Sequence, residues 1–180
     1  MKIALAQINP TVGDIEGNCK IIKTAWKKAD ADGVDLIVFP EMSITAYPVE
    51  DLVLRQSFRC AAIDAIIELA AFSATVSCEA FIGGLWEVDA KPTNSLFWLA
   101  EGEIQVTQHN TALPNYGVFD EKRLFHAGEE TGILNWRDLK LGIFVCEDMW
   151  DDNVTTKVAA EKPDLYISIN GSPYETEKFL

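Results

Sequence analysis

Three apolar runs in this chain stop abruptly at polar residues, and that pattern restricts the fold more than any other feature. Asp35-Leu36-Ile37-Val38-Phe39 is followed by Pro40 and Glu41, and Ile143-Phe144-Val145 by Cys146, Glu147 and Asp148. Tyr166-Ile167-Ser168-Ile169 is followed by Asn170, Gly171 and Ser172. Runs this short, apolar on both faces, read as strands of a sheet covered by helices. In such a sheet the carboxyl ends of neighbouring strands converge on one crevice, so these polar residues can meet although they are far apart in sequence.

The intervening segments carry the helical period. Residues 1–7 read as a buried strand closed by Asn9-Pro10. A helix capped at Gly17-Asn18 places Ile22, Ala25, Trp26 and Ala29 on one face, and Gly33 stops it. Phe58, Ala61, Ala62, Ala65, Ile66 and Leu69 mark a second helix, followed by a strand at 80–83. Residues 94–100 and 104–108 flank Glu101-Gly102 as a hairpin. A strand at 139–146, a short helix at 153–160 and a strand at 165–169 complete the series. The order gives an α/β fold with a mixed sheet. With 180 residues, 48% of them hydrophobic, the chain is sized for one domain, and no repeat or Gly/Ser-rich linker divides it.

Fifteen basic residues against 28 acidic ones give a net charge of −13. That balance disfavours nucleic acid and anionic membrane as partners, because both require neutralising positive charge. No apolar run approaches a membrane span, and the N-terminus does not read as a secretory signal. The four cysteines (Cys19, Cys60, Cys78, Cys146) have no metal-binding or disulfide spacing, which fits reduced thiols in a cytoplasmic protein. No Gly-rich phosphate-gripping pattern occurs, and Gly83-Gly84 alone is no nucleotide signal.

Taken singly, Cys146 has an ordinary explanation as core filler, and Glu41 as a turn or capping residue. Together, at strand ends, they make a candidate base and nucleophile. Residues 113–123, LPNYGVFDEKR, are aromatic, charged and non-periodic, and Pro114 and Gly117 mark them as an ordered loop. A loop of this kind encloses a substrate or packs domains, and its composition favours neither.

FPE around Glu41, LPNYGVFDEKR at 113–123, CEDMW at 146–150 and NGSPY at 170–174 resemble the carbon–nitrogen hydrolase (nitrilase) superfamily. With KIALAQINPTVGDIEGN at the start and TAYPVEDL at 45–52, they are similar more narrowly to the amino-terminal glutaminase domains of glutamine-dependent NAD synthetases. The resemblance covers nearly the whole chain. It implies a nitrilase-like α-β-β-α sandwich, shorter here than in the family. Residues 1–180 would then be a carbon–nitrogen hydrolase domain incomplete at its C-terminus and lacking the synthetase domain.

The resemblance also assigns roles. Glu41 becomes the general base and Cys146 the nucleophile that attacks the side-chain amide of glutamine, because a free thiol near its usual pKa needs a base to attack. Glu121 orients the polar site, Tyr47 and Tyr116 line the glutamine pocket, Ser172 meets the amino-acid end of the substrate, and Trp150 supports the nucleophile's turn. The family's catalytic lysine precedes the Leu-Pro of the loop by three residues, and Asn110 occupies that place. Losing an electrostatic stabiliser of this kind costs about 10²–10³ in rate, so this copy is expected to be impaired. The partners implied are glutamine, a synthetase domain and further copies of the chain, since an incomplete sandwich should self-associate. No cofactor is expected on this chain, with ATP and Mg confined to the synthetase domain. A non-catalytic binding or assembly module, and an amidase for another small amide, are the alternatives. Cys146 is expected to alkylate faster than Cys19 or Cys60, which read as helix-face residues.

Overall fold

The computed structural model describes residues 1–117 and 119–172, so Val118 of the loop and Pro173 and Tyr174 of the NGSPY run lie outside the described residues. Two sheets form its centre. The first has five strands in sequence order: β1 (Ile3–Leu5), β2 (Leu36–Val38), β3 (Glu79–Val88), β4 (Lys91–Ala100) and β5 (Glu103–His109). β1, β2 and β3 run parallel, whereas β3, β4 and β5 form an antiparallel meander. The second sheet has three strands, β6 (Ile133–Trp136), β7 (Leu139–Val145) and β8 (Leu165–Ile169), with β7 and β8 parallel.

Strand alternation builds the layers. Ile37, Ala80, Ile82 and Phe97 face helices α1 (Ile15–Ala31) and α2 (Gln56–Ser73), where Trp26, Ile66 and Leu69 pack against them. Leu36, Val38, Phe81 and Leu96 point the other way and meet Trp136, Leu141, Ile143, Val145 and Ile167 of the second sheet. Full burial of each such side chain contributes about 1.5–3 kcal/mol. Glu79 adds a polar link, because its carboxylate accepts from Trp98 Nε1 of one sheet at 2.7 Å and from Trp136 Nε1 of the other at 2.9 Å. Helix α4 (Asp152–Ala160) buries Val158 and packs against β7. The layers are therefore α-β-β-α, as the resemblance implies.

Several boundaries differ from the sequence reading. Helix α1 is capped by Asp14, whose side chain accepts from Gly17 N–H, and not by Gly17-Asn18. Asn18 is buried inside the helix, where its amide bonds Thr11 and the carbonyl of Ile44. The strand expected at 80–83 continues to Val88 and turns back through Asp89 and Ala90, both with positive φ, into β4. Alanine is a rare choice there, so the turn had no glycine or asparagine to announce it. β6 and a short helix α3 (Glu121–Leu124) were not anticipated. Among the described residues no helix is long and apolar enough to cross a membrane.

Gly83 has a structural reason. A Cβ there would lie 2.6 Å from Glu41 Cα and 2.7 Å from Met42 N, so β3 can pass beneath the Glu41 turn only without a side chain. At Gly84 an added Cβ would meet Ile66 Cδ1 at 3.1 Å and Ile44 Cδ1 at 3.3 Å, which are ends of movable side chains. Gly83→Ala should therefore lower the free energy of unfolding by about 1–3 kcal/mol, and Gly84→Ala by less. Urea denaturation of both variants checks the ranking.

Candidate active site

The site begins where β2 ends. Phe39 N–H still pairs with the carbonyl of Phe81 at 2.8 Å, after which Pro40, Glu41 and Met42 leave the sheet. Glu41 is 3% exposed. Its Oε1 accepts from Asn94 Nδ2 at 2.6 Å, and its Oε2 from Gly171 N–H at 2.7 Å. Those donors come from β4 and from the segment after β8, so one carboxylate joins both sheets. Burial raises the Glu41 pKa, and the hydrogen bonds from Asn94, Cys146 and Gly171 offset this only in part.

Cys146 follows β7 directly. It is 7% exposed and sits at φ 45, a left-handed conformation that costs an L-residue roughly 1–2 kcal/mol. A 3-10 turn, Cys146–Met149, begins at once, so the chain swings away and leaves the thiol at the strand's end. β7 and β8 pair Val145 with Ile169, so Cys146 lies beside the Asn170–Gly171 segment, whose Gly171 N–H holds Glu41. Burial, then the negative charge of Glu41, pushes its pKa up to about 12. The residues expected from the strand ends thus lie in one cluster, where burial and the charge of Glu41 outweigh the Gly171 N–H that favours a thiolate.

Asn110 and Glu121 complete the cluster. Asn110 is 1% exposed and follows β5, with its N–H bonded to the carbonyl of Asn94 at 2.8 Å. Its Nδ2 donates to Glu121 Oε2 at 3.3 Å, and Asn94 Nδ2 to Glu121 Oε1 at 3.4 Å, both long contacts. Tyr47 reaches Glu121 with its hydroxyl. Burial, then the charge of Glu41, raises the Glu121 pKa to about 8. Two carboxylates this close do not both ionise readily, and the pair favours holding one proton at neutral pH. Among the described residues no lysine or arginine pairs with either. No group of three or more His, Cys, Asp or Glu is arranged to hold a metal ion among those residues.

Asp148 and Asn94 were not singled out by the sequence reading. Asp148, 1% exposed, accepts from Thr111 N–H at 2.9 Å and Ala112 N–H at 2.8 Å, and its other oxygen accepts from Val145 N–H at 3.1 Å. It staples the segment carrying Asn110 to the turn carrying Cys146. Burial raises its pKa to about 6 against those backbone donors. Asn94 had a sequence signal in the polar run Thr93-Asn94-Ser95, which interrupts an apolar strand and is wholly buried.

The remaining assigned residues lie at the margin. Tyr116 is 57% exposed, and its hydroxyl donates to Glu147 Oε2 at 2.8 Å. Ser172 is exposed at the end of the described chain, one residue beyond the Gly171 that binds Glu41. Trp150 does not prop the turn with its side chain, which is 70% exposed; only its N–H, bonded to the carbonyl of Glu147, helps close it. His109 pairs through Nδ1 with Ser95 Oγ at 2.7 Å and makes no bond to Glu41 or Glu121, as strand alternation requires.

A buried thiol and carboxylate at converging strand ends of an α-β-β-α sandwich form a site suited to covalent attack on an amide carbon. The chain belongs to the carbon–nitrogen hydrolase family, which it matches over residues 2–179. It is 35% identical over 180 residues to the glutamine-dependent NAD(+) synthetase of Thermotoga maritima, covering 99% of this chain and 31% of that protein. The glutamine-dependent NAD+ synthetase of Acinetobacter baumannii superposes with a TM-score of 0.91 at 32% identity, over 98% of this chain and 33% of that one. The Nesterenkonia AN1 amidase from the nitrilase superfamily shares the fold, with a TM-score of 0.83 at 21% identity, over 94% of this chain and 64% of that one. The chain spans about a third of the length of the NAD synthetases it matches.

The geometry reverses the expected order of thiol reactivity. Cys60 is exposed, whereas Cys146 is buried with its pKa pushed up. Iodoacetamide at pH 7.5 should therefore label Cys60 before Cys146. Because thiolate is the reactive form, Cys146 labelling should climb about tenfold per pH unit between pH 7 and 10. Peptide mass spectrometry of the alkylated protein follows both.

Proposed function

We propose that this chain is the glutaminase portion of a glutamine-dependent NAD synthetase, with its chemistry slowed by the lack of a cation at Asn110. The observation that carries the reading is the convergence of Cys146, at the end of β7, and Glu41, after β2, on the Gly171 segment that follows β8. The names of the relatives, matched over nearly this whole chain, support glutamine as the amide.

In this reading Glu41 takes the thiol proton while Cys146 Sγ bonds to the side-chain amide carbon of glutamine. The carbon–nitrogen bond then breaks, and Glu41 returns the proton to the departing ammonia. Water, deprotonated by Glu41, cleaves the thioester to glutamate and restores the thiol. The raised pKa of Glu41 suits a base that must take and return a proton. Asn94 and Gly171 hold Glu41, Glu121 orients Asn94 and Asn110, Asp148 holds the turn, and Tyr47, Tyr116 and Ser172 bound the substrate. Ammonia passes to a synthetase domain, where ATP and Mg act on the NAD precursor. The whole assembly works as a cytoplasmic homo-oligomer.

The weak point is charge. Sulfur and oxygen both become negative during attack, and the carboxylates of Glu41, Glu121 and Asp148 oppose this with no cation beside them. Asn110→Lys should accordingly raise ammonia release from glutamine at least about 10²-fold, and His109→Lys, directed to Ser95, should not. A coupled ammonia assay on both variants, with Cys146→Ala as the blank, tests the assignment. Equal rates for the two lysine variants would remove Asn110 from the account.

A further inference from the structure

The chain has 28 acidic residues against 15 basic ones, yet one cavity outside the catalytic cluster gathers cations. It has a volume of about 290 Å³ and lies beside the turn between β3 and β4. Arg59 reaches it from α2, Lys91 from the start of β4 and Arg123 from α3, with His126 just beyond that helix. No acidic residue lines it, and Asn110 and Cys146 lie outside it. Both guanidinium groups are fixed in place. Arg59 bonds Glu87 through Nε and the carbonyls of Val53 and Leu54 through Nη1, the latter two at 3.1 Å. Arg123 bonds Asp120 through Nε at 2.6 Å and Asp51 through Nη1 at 2.8 Å. Those bonds leave Nη2 of each arginine for a ligand. Among the described residues Lys91 pairs with no carboxylate. Leu124 and Phe125, both buried, and Leu54, 52% exposed, give the cavity an apolar wall.

We propose that this cavity is a binding site for a small phosphate monoester. Like charges gathered in one hollow repel, and an anion relieves the repulsion. Three permanent cations outnumber the single charge of a carboxylate, whereas a phosphate monoester brings close to two negative charges and three acceptor oxygens at neutral pH. The arginine fork matches phosphate geometry, lysine adds a point charge, and a neutral imidazole still offers one N–H. Glu87, Asp51 and Asp120 engage the other guanidinium nitrogens, so they hold the forks without lining the cavity. The apolar wall suits the organic part of the ester, and covering Leu54 removes exposed apolar surface from water. The volume lies at the lower end of the range for small-molecule sites, about 300–1,000 Å³, so a body of one ring or a short chain fits best. The site does not depend on glutamine hydrolysis.

Calorimetric titration of the 180-residue chain at pH 7.5 with phenyl phosphate, inorganic phosphate and benzoate tests the site. Phenyl phosphate should bind saturably, and the other two at least about tenfold more weakly, since one lacks the ring and the other the second charge. Lys91→Glu should weaken phenyl phosphate by about tenfold or more, in line with one lost charge-assisted hydrogen bond. Lys157→Glu makes the same charge change on α4 and should leave the affinity unaltered. Leu54→Ser should weaken phenyl phosphate but not inorganic phosphate. Lys91, Leu54 and Lys157 are all exposed, so the variants should fold, and thermal melting checks this. Absence of saturable phenyl phosphate binding at millimolar concentration, or equal weakening by Lys91→Glu and Lys157→Glu, overturns the site. Benzoate binding as tightly as phenyl phosphate overturns the choice of phosphate. Equal affinity for the two phosphates overturns the organic body.

Discussion

The Glu41 carboxylate is the tie on which the rest of the site depends. One oxygen is held by Asn94 from β4 and the other by Gly171 from beyond β8, so a single side chain spans the interface between two sheets. The packing of Leu36, Val38 and Phe81 against Trp136, Ile143 and Val145 brings those sheets together. Glu41 then fixes their register at the end where β2, β7 and β8 terminate. Gly83 shows how close that fit is, because β3 passes under the Glu41 turn without room for a methyl group.

The same tie creates the electrostatic problem. A carboxylate buried to this depth is ordinarily matched by a cation, because hydrogen bonds from neutral groups recover only part of the lost hydration. Here burial raises the pKa of both Glu41 and Glu121, and the compensation comes from amide donors of Asn94 and Asn110. The result is a thiol in position for attack but held in its protonated form. Asp148 holds the scaffold around it: its two oxygens clamp Thr111, Ala112 and Val145, which ties the segment carrying Asn110 to the turn carrying Cys146.

Much of this was legible in the sequence, for reasons specific to particular residues. Glu41, Cys146 and Gly171 each follow an apolar run; the parallel pairing of β7 and β8 sets Cys146 beside Gly171, and the packing of the two sheets brings Glu41 to them. The period of Ile22, Trp26 and Ala29 marked α1, although its start was misplaced because Asn18 bonds across to Ile44 instead of capping the helix. Asn94 was missed because it lies inside a strand, where alternation gives a face but not a partner, and its partner Glu41 is 53 positions away. The burial of Cys146 and the charge of Glu41 beside it were not legible, because a strand end says nothing of depth or of neighbouring charge. Tyr116 was read as lining the pocket and Trp150 as supporting the nucleophile's turn, yet at the rim of a crevice an aromatic ring can face water.

The central claim is that Glu121, buried beside Glu41, keeps its proton at neutral pH. Difference infrared spectroscopy reports this directly, through the carbonyl stretch of a protonated carboxyl group. A band from a buried protonated carboxyl should be present at pH 7, fade as the pH passes about 8, and be missing in Glu121→Gln. A spectrum at pH 7 with no such band, or one unchanged by Glu121→Gln, would contradict the account.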